Sequence, residues 1–356
     1  MEARVNDREN RLESVLAAFR QQIEWCERLG SPFTAELLRQ LAQDIQTGGI
    51  VAALAGAWAG DPVADALALR FAGALHALVL TGAAAELAAL YPPQAAAPAG
   101  LRTALFPAIE QHRDFIGSFL ASPPQTNEVG RSAVLLGGFL TIARAFDLPL
   151  RLLEIGASAG LNSIFERYHY RLGEAQWGDP ASPVHLTPAW QGPLPPLEAP
   201  LRVAERRACD IAPIDLEDAG QRLRLKAYVW ADQRERLSRL EGAIAEARSR
   251  GVKVEQEDAA TWLRARLQEP AEGCATVLFH SIMWQYLPAA TQADIEAAMS
   301  QAGSRATGSA PLAWLRFEPP QLGAHPRLRL TLWPGGRDLD LAVAQPHGSE
   351  VAWSDG

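Results

Sequence analysis

Apolar residues in the first 150 positions recur at helical spacing rather than in alternation. Val15, Leu16, Phe19, Ile23, Trp25, Cys26 and Leu29 predict a helix over 12–28, which Gly30 and Ser31-Pro32 end. A second helix fits 34–45. The alanine- and leucine-rich span 62–90 predicts closely packed helices, because small side chains let helix axes approach. Pro92-Pro93 and the run 95–100 form a break, and further helices are expected over 101–120 and 132–146. No strand alternation is evident before residue 150.

Beyond that point short β-rich runs alternate with helix-length stretches. The runs are 150–155, 201–209, 252–257, 276–280, 312–317, 328–333 and 339–344. Such alternation predicts an α/β fold with a mostly parallel sheet. The turn Pro334-Gly-Gly-Arg-Asp338 joins the last two runs as an antiparallel C-terminal hairpin at the end of the sheet. The expected organisation is an all-helical N-terminal domain, 1–148, and a sheet domain, 149–356, with a proline-rich insertion at about 170–200. The stretch 221–248 keeps a helical pattern through Leu237, Leu240, Ile244 and Ala247.

Composition narrows the function classes. At 48% hydrophobic and 21% charged residues the chain is that of an ordinary globular protein. The N-terminus is charged and has no apolar h-region, and no apolar run reaches the ~18–20 residues of a membrane span, so a cytoplasmic location and no membrane partner are expected. The net charge of −8 argues against nonspecific nucleic-acid binding and favours a small molecule or protein as partner, of which a small-molecule substrate is the expectation. The three cysteines form no CxxC pair and the seven histidines no metal-binding pair, so no metal is expected. The oligomeric state is not legible.

The most informative segment is Glu154-Ile-Gly156-Ala157-Ser158-Ala-Gly160-Leu-Asn162, an apolar strand running into a glycine turn and a helix start. Glycine lets the backbone turn sharply and approach a ligand, and the following helix, 161–168, offers N–H groups at its start. Ser158 stands where a dinucleotide fingerprint has its second glycine, which disfavours NAD. The segment also matches G-x-S-x-G, which would make Ser158 a hydrolase nucleophile with Asp258 and His347 behind it. That elbow normally follows several strands, whereas the preceding region reads as helical. A tight turn without a ligand is the simplest alternative.

The same segment resembles the first motif of class I S-adenosylmethionine-dependent methyltransferases, whose domain is Rossmann-like. Cys209-Asp210 resembles the end of their second strand, and Val252 to Asp258-Ala259 the end of their third. Thr276 to His280-Ser281 resembles their fourth strand. The resemblance implies S-adenosylmethionine as cofactor, held by Glu154, Gly156, Ala157, Ser158, Gly160 and Asn162. It puts the ribose on Asp210 and the adenine near Asp258 and Ala259. Glu154 and Asp210 are 56 positions apart, far more than the usual spacing of about 20. Asp232 is therefore a rival for the ribose. Across its length the chain also resembles a bacterial family designated a domain of unknown function. That likeness runs through Gln125-Thr-Asn127-Glu128, Gly130-Arg131, Glu154 to Asn162, Trp177 to Pro183, Cys209 to Asp215, Phe279 to Pro288, Trp333 to Gly336 and Pro346-His-Gly348.

His280 closes an apolar strand and is the candidate general base. Ser281, Trp284, Gln285 and Tyr286 follow it as candidate substrate contacts. Asn127, Glu128 and Arg131 are candidate lid residues, although Thr126 or Asn127 also fits a helix N-cap and Glu128 with Arg131 an i, i+3 pair. Glu318, at another strand end, could face the substrate. The reading is a methyltransferase for a small molecule. The alternatives are a serine hydrolase using Ser158 and a noncatalytic cofactor-binding protein of the same fold.

Overall fold

A computed structural model describes residues 2–56, 58–93, 99–321 and 323–354. The expected break at 95–100 lies largely outside them. The chain divides into two compact units, one of residues 1–126 and 219–238, the other of 127–218 and 239–356.

The first unit is helical. It contains α1 (Glu2–Arg28), α2 (Pro32–Thr47), α3 (Ile50–Ala55), α4 (Leu67–Leu80), α5 (Ala85–Ala88), α6 (Leu101–Gln111) and α7 (Arg113–Leu120). Its core gathers Phe19, Phe33, Phe71, Leu75 and Phe119 together with Tyr228 from the later segment. The division therefore does not fall at 148/149. The helix α8 (Ser132–Phe146) belongs with the sheet, where its Gly138 lets it press onto Leu315.

The second unit holds β1 (Leu150–Ile155), β2 (His169–Leu172), β3 (Ala175–Trp177), β4 (His185–Leu186), β5 (Ala189–Gln191) and β6 (Val203–Asp210). The chain then forms α9 (Ala219–Ala227) and α10 (Arg234–Ser249), where the predicted single helix over 221–248 is split. His76 Nδ1 bonds the carbonyls of Ala227 and Val229, which a continuous helix would have used itself. Next come β7 (Glu255–Gln256), α11 (Ala259–Arg266), β8 (Ala275–Ser281), α12 (Ala289–Ser304), β9 (Leu312–Glu318), β10 (Arg327–Trp333), β11 (Arg337–Ala344) and β12 (Glu350–Trp353).

The nine-stranded sheet runs β5-β12-β11-β10-β9-β8-β1-β6-β7. Strands β7, β6, β1, β8 and β9 are mutually parallel, and β10 to β12 continue antiparallel. The predicted hairpin is β10 with β11, but it is not the sheet's edge, since β12 and β5 extend beyond it. One face packs Leu153, Ile155, Leu278 and Trp314 against Trp262 of α11 and Ile295 and Met299 of α12. On the other, Phe139 of α8 stacks on Phe165 and meets Phe279 edge-on. The insertion folds as a small sheet in the order β3-β2-β4.

Among the described residues one 18-residue window, 129–146, is apolar enough to cross a membrane by length and composition, contrary to the expectation of none. It is 78% buried and comprises the turn Val129–Arg131 and the core-facing α8, which accounts for its apolar character.

Candidate functional site

The parallel strands, taken in chain order, lie in the sequence third, second, first, fourth, fifth. That order reverses direction between β1 and β8, and in open α/β sheets the ligand crevice lies outside the strand C-termini at such a switch point. The glycine turn after β1 and the loop after β8 face each other there.

The glycine turn is held from the neighbouring strand. Asp210, at the end of β6, accepts from Ser158 N at 2.8 Å through Oδ2 and from Ala212 N at 2.9 Å through Oδ1. Ile214 N donates to Ser158 O at 3.0 Å. These bonds fix Ser158 at φ +55, a left-handed conformation uncommon for a side chain other than glycine. Gly156 and Gly160 also take positive φ, 64° and 72°.

Glu154 is 3% exposed, and its Oε2 has no hydrogen-bond partner. Burial, reinforced by the Asp210 charge, pushes its carboxyl well above the usual carboxylate range, with Arg131 opposing. A buried oxygen left without a donor costs free energy unless something brings one to it. Ser158 Oγ is also buried without a partner. Among the described residues no histidine bonds it, as a base activating a serine nucleophile would. Asp258 Oδ1 caps α11 through Thr261 N at 2.9 Å, with Ala259 as the first residue of that helix.

The N-terminal flank is structural where the sequence suggested a lid. Asn127 Oδ1 accepts from Leu161 N at 2.9 Å, so one of the N–H groups expected to be open is occupied. Leu161–Arg167 is a kinked 3-10 segment rather than the predicted helix. Asn162 Oδ1 accepts from Ser132 Oγ at 2.7 Å and faces α8 rather than a ligand. Glu128, not Thr126 or Asn127, caps the next turn, through Gly130 N at 2.9 Å. Arg131 donates to Ser281 O at 2.9 Å and to Pro346 O at 3.1 Å. A Cβ on Gly130 would lie 2.2 Å from the His347 carbonyl oxygen, so the two turns lie flush.

His280 is not placed as a general base. It is 1% exposed, its Nδ1 lies 2.7 Å from Glu318 Oε1, and its Nε2 accepts from the Trp314 indole at 3.1 Å. An indole N–H only donates, so the ring proton sits on Nδ1 and both nitrogens are engaged. Glu318 also accepts from Met283 N and Trp284 N. It therefore anchors the loop rather than facing a substrate. Trp284 stacks on His280 at 5.2 Å, while Gln285 and Tyr286 are exposed. Sequence reasoning missed Met283, whose side chain rests against Gly156.

Asp232 lies in the helical unit. It accepts from Phe33 N, Thr34 N and Thr34 Oγ1 at 2.7–3.0 Å, capping α2 within the helical unit. Asp210 lies at the C-terminal end of β6. Among the described residues no group of three potential metal ligands occurs.

Fold and strand order thus define a doubly wound α/β protein whose parallel strands switch direction between β1 and β8. The chain belongs to the bacterial family described as "Uncharacterized protein conserved in bacteria (DUF2332)", whose model matches residues 16–353. No curated protein and no solved structure matches it.

Proposed function

We propose that the protein binds S-adenosylmethionine on the turn 155–160 and is a methyltransferase for a small molecule. The observation that carries this reading is Glu154: a buried carboxyl with an unpartnered oxygen, two residues ahead of a glycine turn at the sheet's switch point. Its chemistry suits the ammonium of an amino-acid moiety. Gly156 permits close backbone approach, while Gly160 turns the chain at φ +72 and packs its bare face on Val252 and Val254. Asp210 keeps lone pairs beyond its two backbone donors for ribose hydroxyls, and the exposed Asp258 beside Ala259 suits the adenine amine.

When bound, the cofactor supplies an activated methyl group. The protein's own contribution is to bind, orient and exclude water, because the engaged His280 leaves proximity and orientation as the source of acceleration. Ser281, Gln285 and Tyr286 border the side from which an acceptor would enter. The acidic net charge favours a small molecule over nucleic acid, and the three free thiols suit the cytoplasm.

Calorimetric titration with S-adenosylmethionine, S-adenosylhomocysteine and NAD tests the reading. Binding of the first two but not NAD is expected, with roughly tenfold weaker binding in Glu154→Gln. Absence of heat with all three overturns it. Binding without methyl transfer to any acceptor on a broad panel would leave a noncatalytic binder of the same fold.

A further inference from the structure

The loop after β8 carries a second strained residue. Ile282 adopts φ +50, a true outlier for a β-branched side chain. It is held from both sides. Ile282 N donates to Phe317 O at 2.9 Å, Arg131 holds the preceding carbonyl of Ser281, and the Glu318 carboxylate takes the following N–H groups of Met283 and Trp284. Strain of this kind persists only where the surroundings over-determine it, and it clusters at clamps and switch regions.

The effect of this turn is to direct Met283 at the opposite strand end. A Cβ built on Gly156 would lie 2.7 Å from Met283 Cγ and Cε and 2.9 Å from its Cβ. The thioether thus stands where a ligand would use the glycine. The side chain is only partly buried, and methionine has three rotatable bonds, so its atoms beyond Cβ can swing off Gly156 while Cβ stays with the backbone that Glu318 fixes.

We infer that Met283 is a displaceable plug on the cofactor site, seated on Gly156 in the free protein and swung aside when a ligand occupies the turn. The inference rests on the cofactor reading above. A site open only part of the time binds with an affinity reduced by the open fraction, so removing the plug tightens binding.

The chain has three methionines, Met1, Met283 and Met299, so methyl-labelled methionine gives a simple spectrum. Met299 is fully buried between sheet and helix and serves as the internal control. Met283→Leu assigns the Met283 signal. On saturation of the wild-type protein with S-adenosylmethionine, the Met283 methyl should shift while Met299 stays. In calorimetry Met283→Ala should bind roughly three- to tenfold tighter than wild type. Equal or weaker binding by Met283→Ala, or an unmoved Met283 methyl in the saturated complex, overturns the plug and leaves the cofactor reading standing. No binding by wild type or variant overturns both. Binding by the variant alone supports both.

Discussion

His280 Nδ1 and Glu318 Oε1 lie 2.7 Å apart between two side chains that are 1% and 4% exposed. The same carboxylate receives two backbone N–H groups, so it is the acceptor for three donors. Glu318→Ala strands all three and should lower unfolding free energy by about 3 kcal/mol in urea titration, whereas Glu318→Gln, which keeps an acceptor oxygen, should lose less. His280→Gln should weaken folding but leave any methyl-transfer rate per bound cofactor within about threefold. A loss of several orders of magnitude would restore His280 as the base.

Glu154 makes stability depend on pH. Its folded carboxyl holds its proton above the ordinary carboxylate range, so the folded state binds the proton more tightly than the unfolded chain does. The resulting stabilisation is full below the ordinary carboxylate pKa and is lost as pH rises through the raised value. Glu154→Gln should therefore melt higher than wild type at about pH 8 and match it at about pH 4. A cationic ligand favours the ionised carboxyl, so cofactor binding should release a proton. Binding heats measured in buffers of different ionisation enthalpy check this.

Ser158 separates the alternatives. Its hydroxyl is buried without a partner and its φ is positive. Ser158→Gly should hold or raise stability, by up to about 1 kcal/mol, and retain cofactor binding. Gly156→Val, which strains the backbone and collides with Met283, should abolish binding. A serine hydrolase would show the reverse dependence on Ser158.

Asp210 and Asp232 should behave as different kinds of residue. Asp232→Ala uncaps α2 and should cost about 1–2 kcal/mol in stability without altering cofactor affinity in the folded protein. Asp210→Ala should weaken affinity as well as loosen the turn through Ser158 N.

The strands were legible where apolar runs were continuous: β1 covers 150–155 as read, and β8 and β9 differ by a residue or so at their ends. Fully buried parallel strands announce themselves by such runs. What the sequence could not convey was partnership across the chain. His280 has the position of a base, but Trp314 and Glu318, 34 and 38 residues away, occupy its nitrogens. Asn127 has the composition of a lid and is a cap for Leu161. The split between α9 and α10 depends on His76, more than 150 residues earlier, and has no local signal. Met283 was hidden because a methionine after a strand reads as core.

The helical unit is closed by residues 219–238, which the chain supplies only after β1 to β6. On a ribosome, the first 126 residues emerge with α2 lacking the carboxylate of Asp232 and α4 lacking Tyr228 beside its Gly73. Roughly a hundred further residues must be synthesised before those places fill, at least several seconds at ordinary translation rates. Neither unit is therefore released by one proteolytic cut or one truncation. A fragment ending near residue 126 should expose apolar surface and aggregate unless the later segment is supplied in trans.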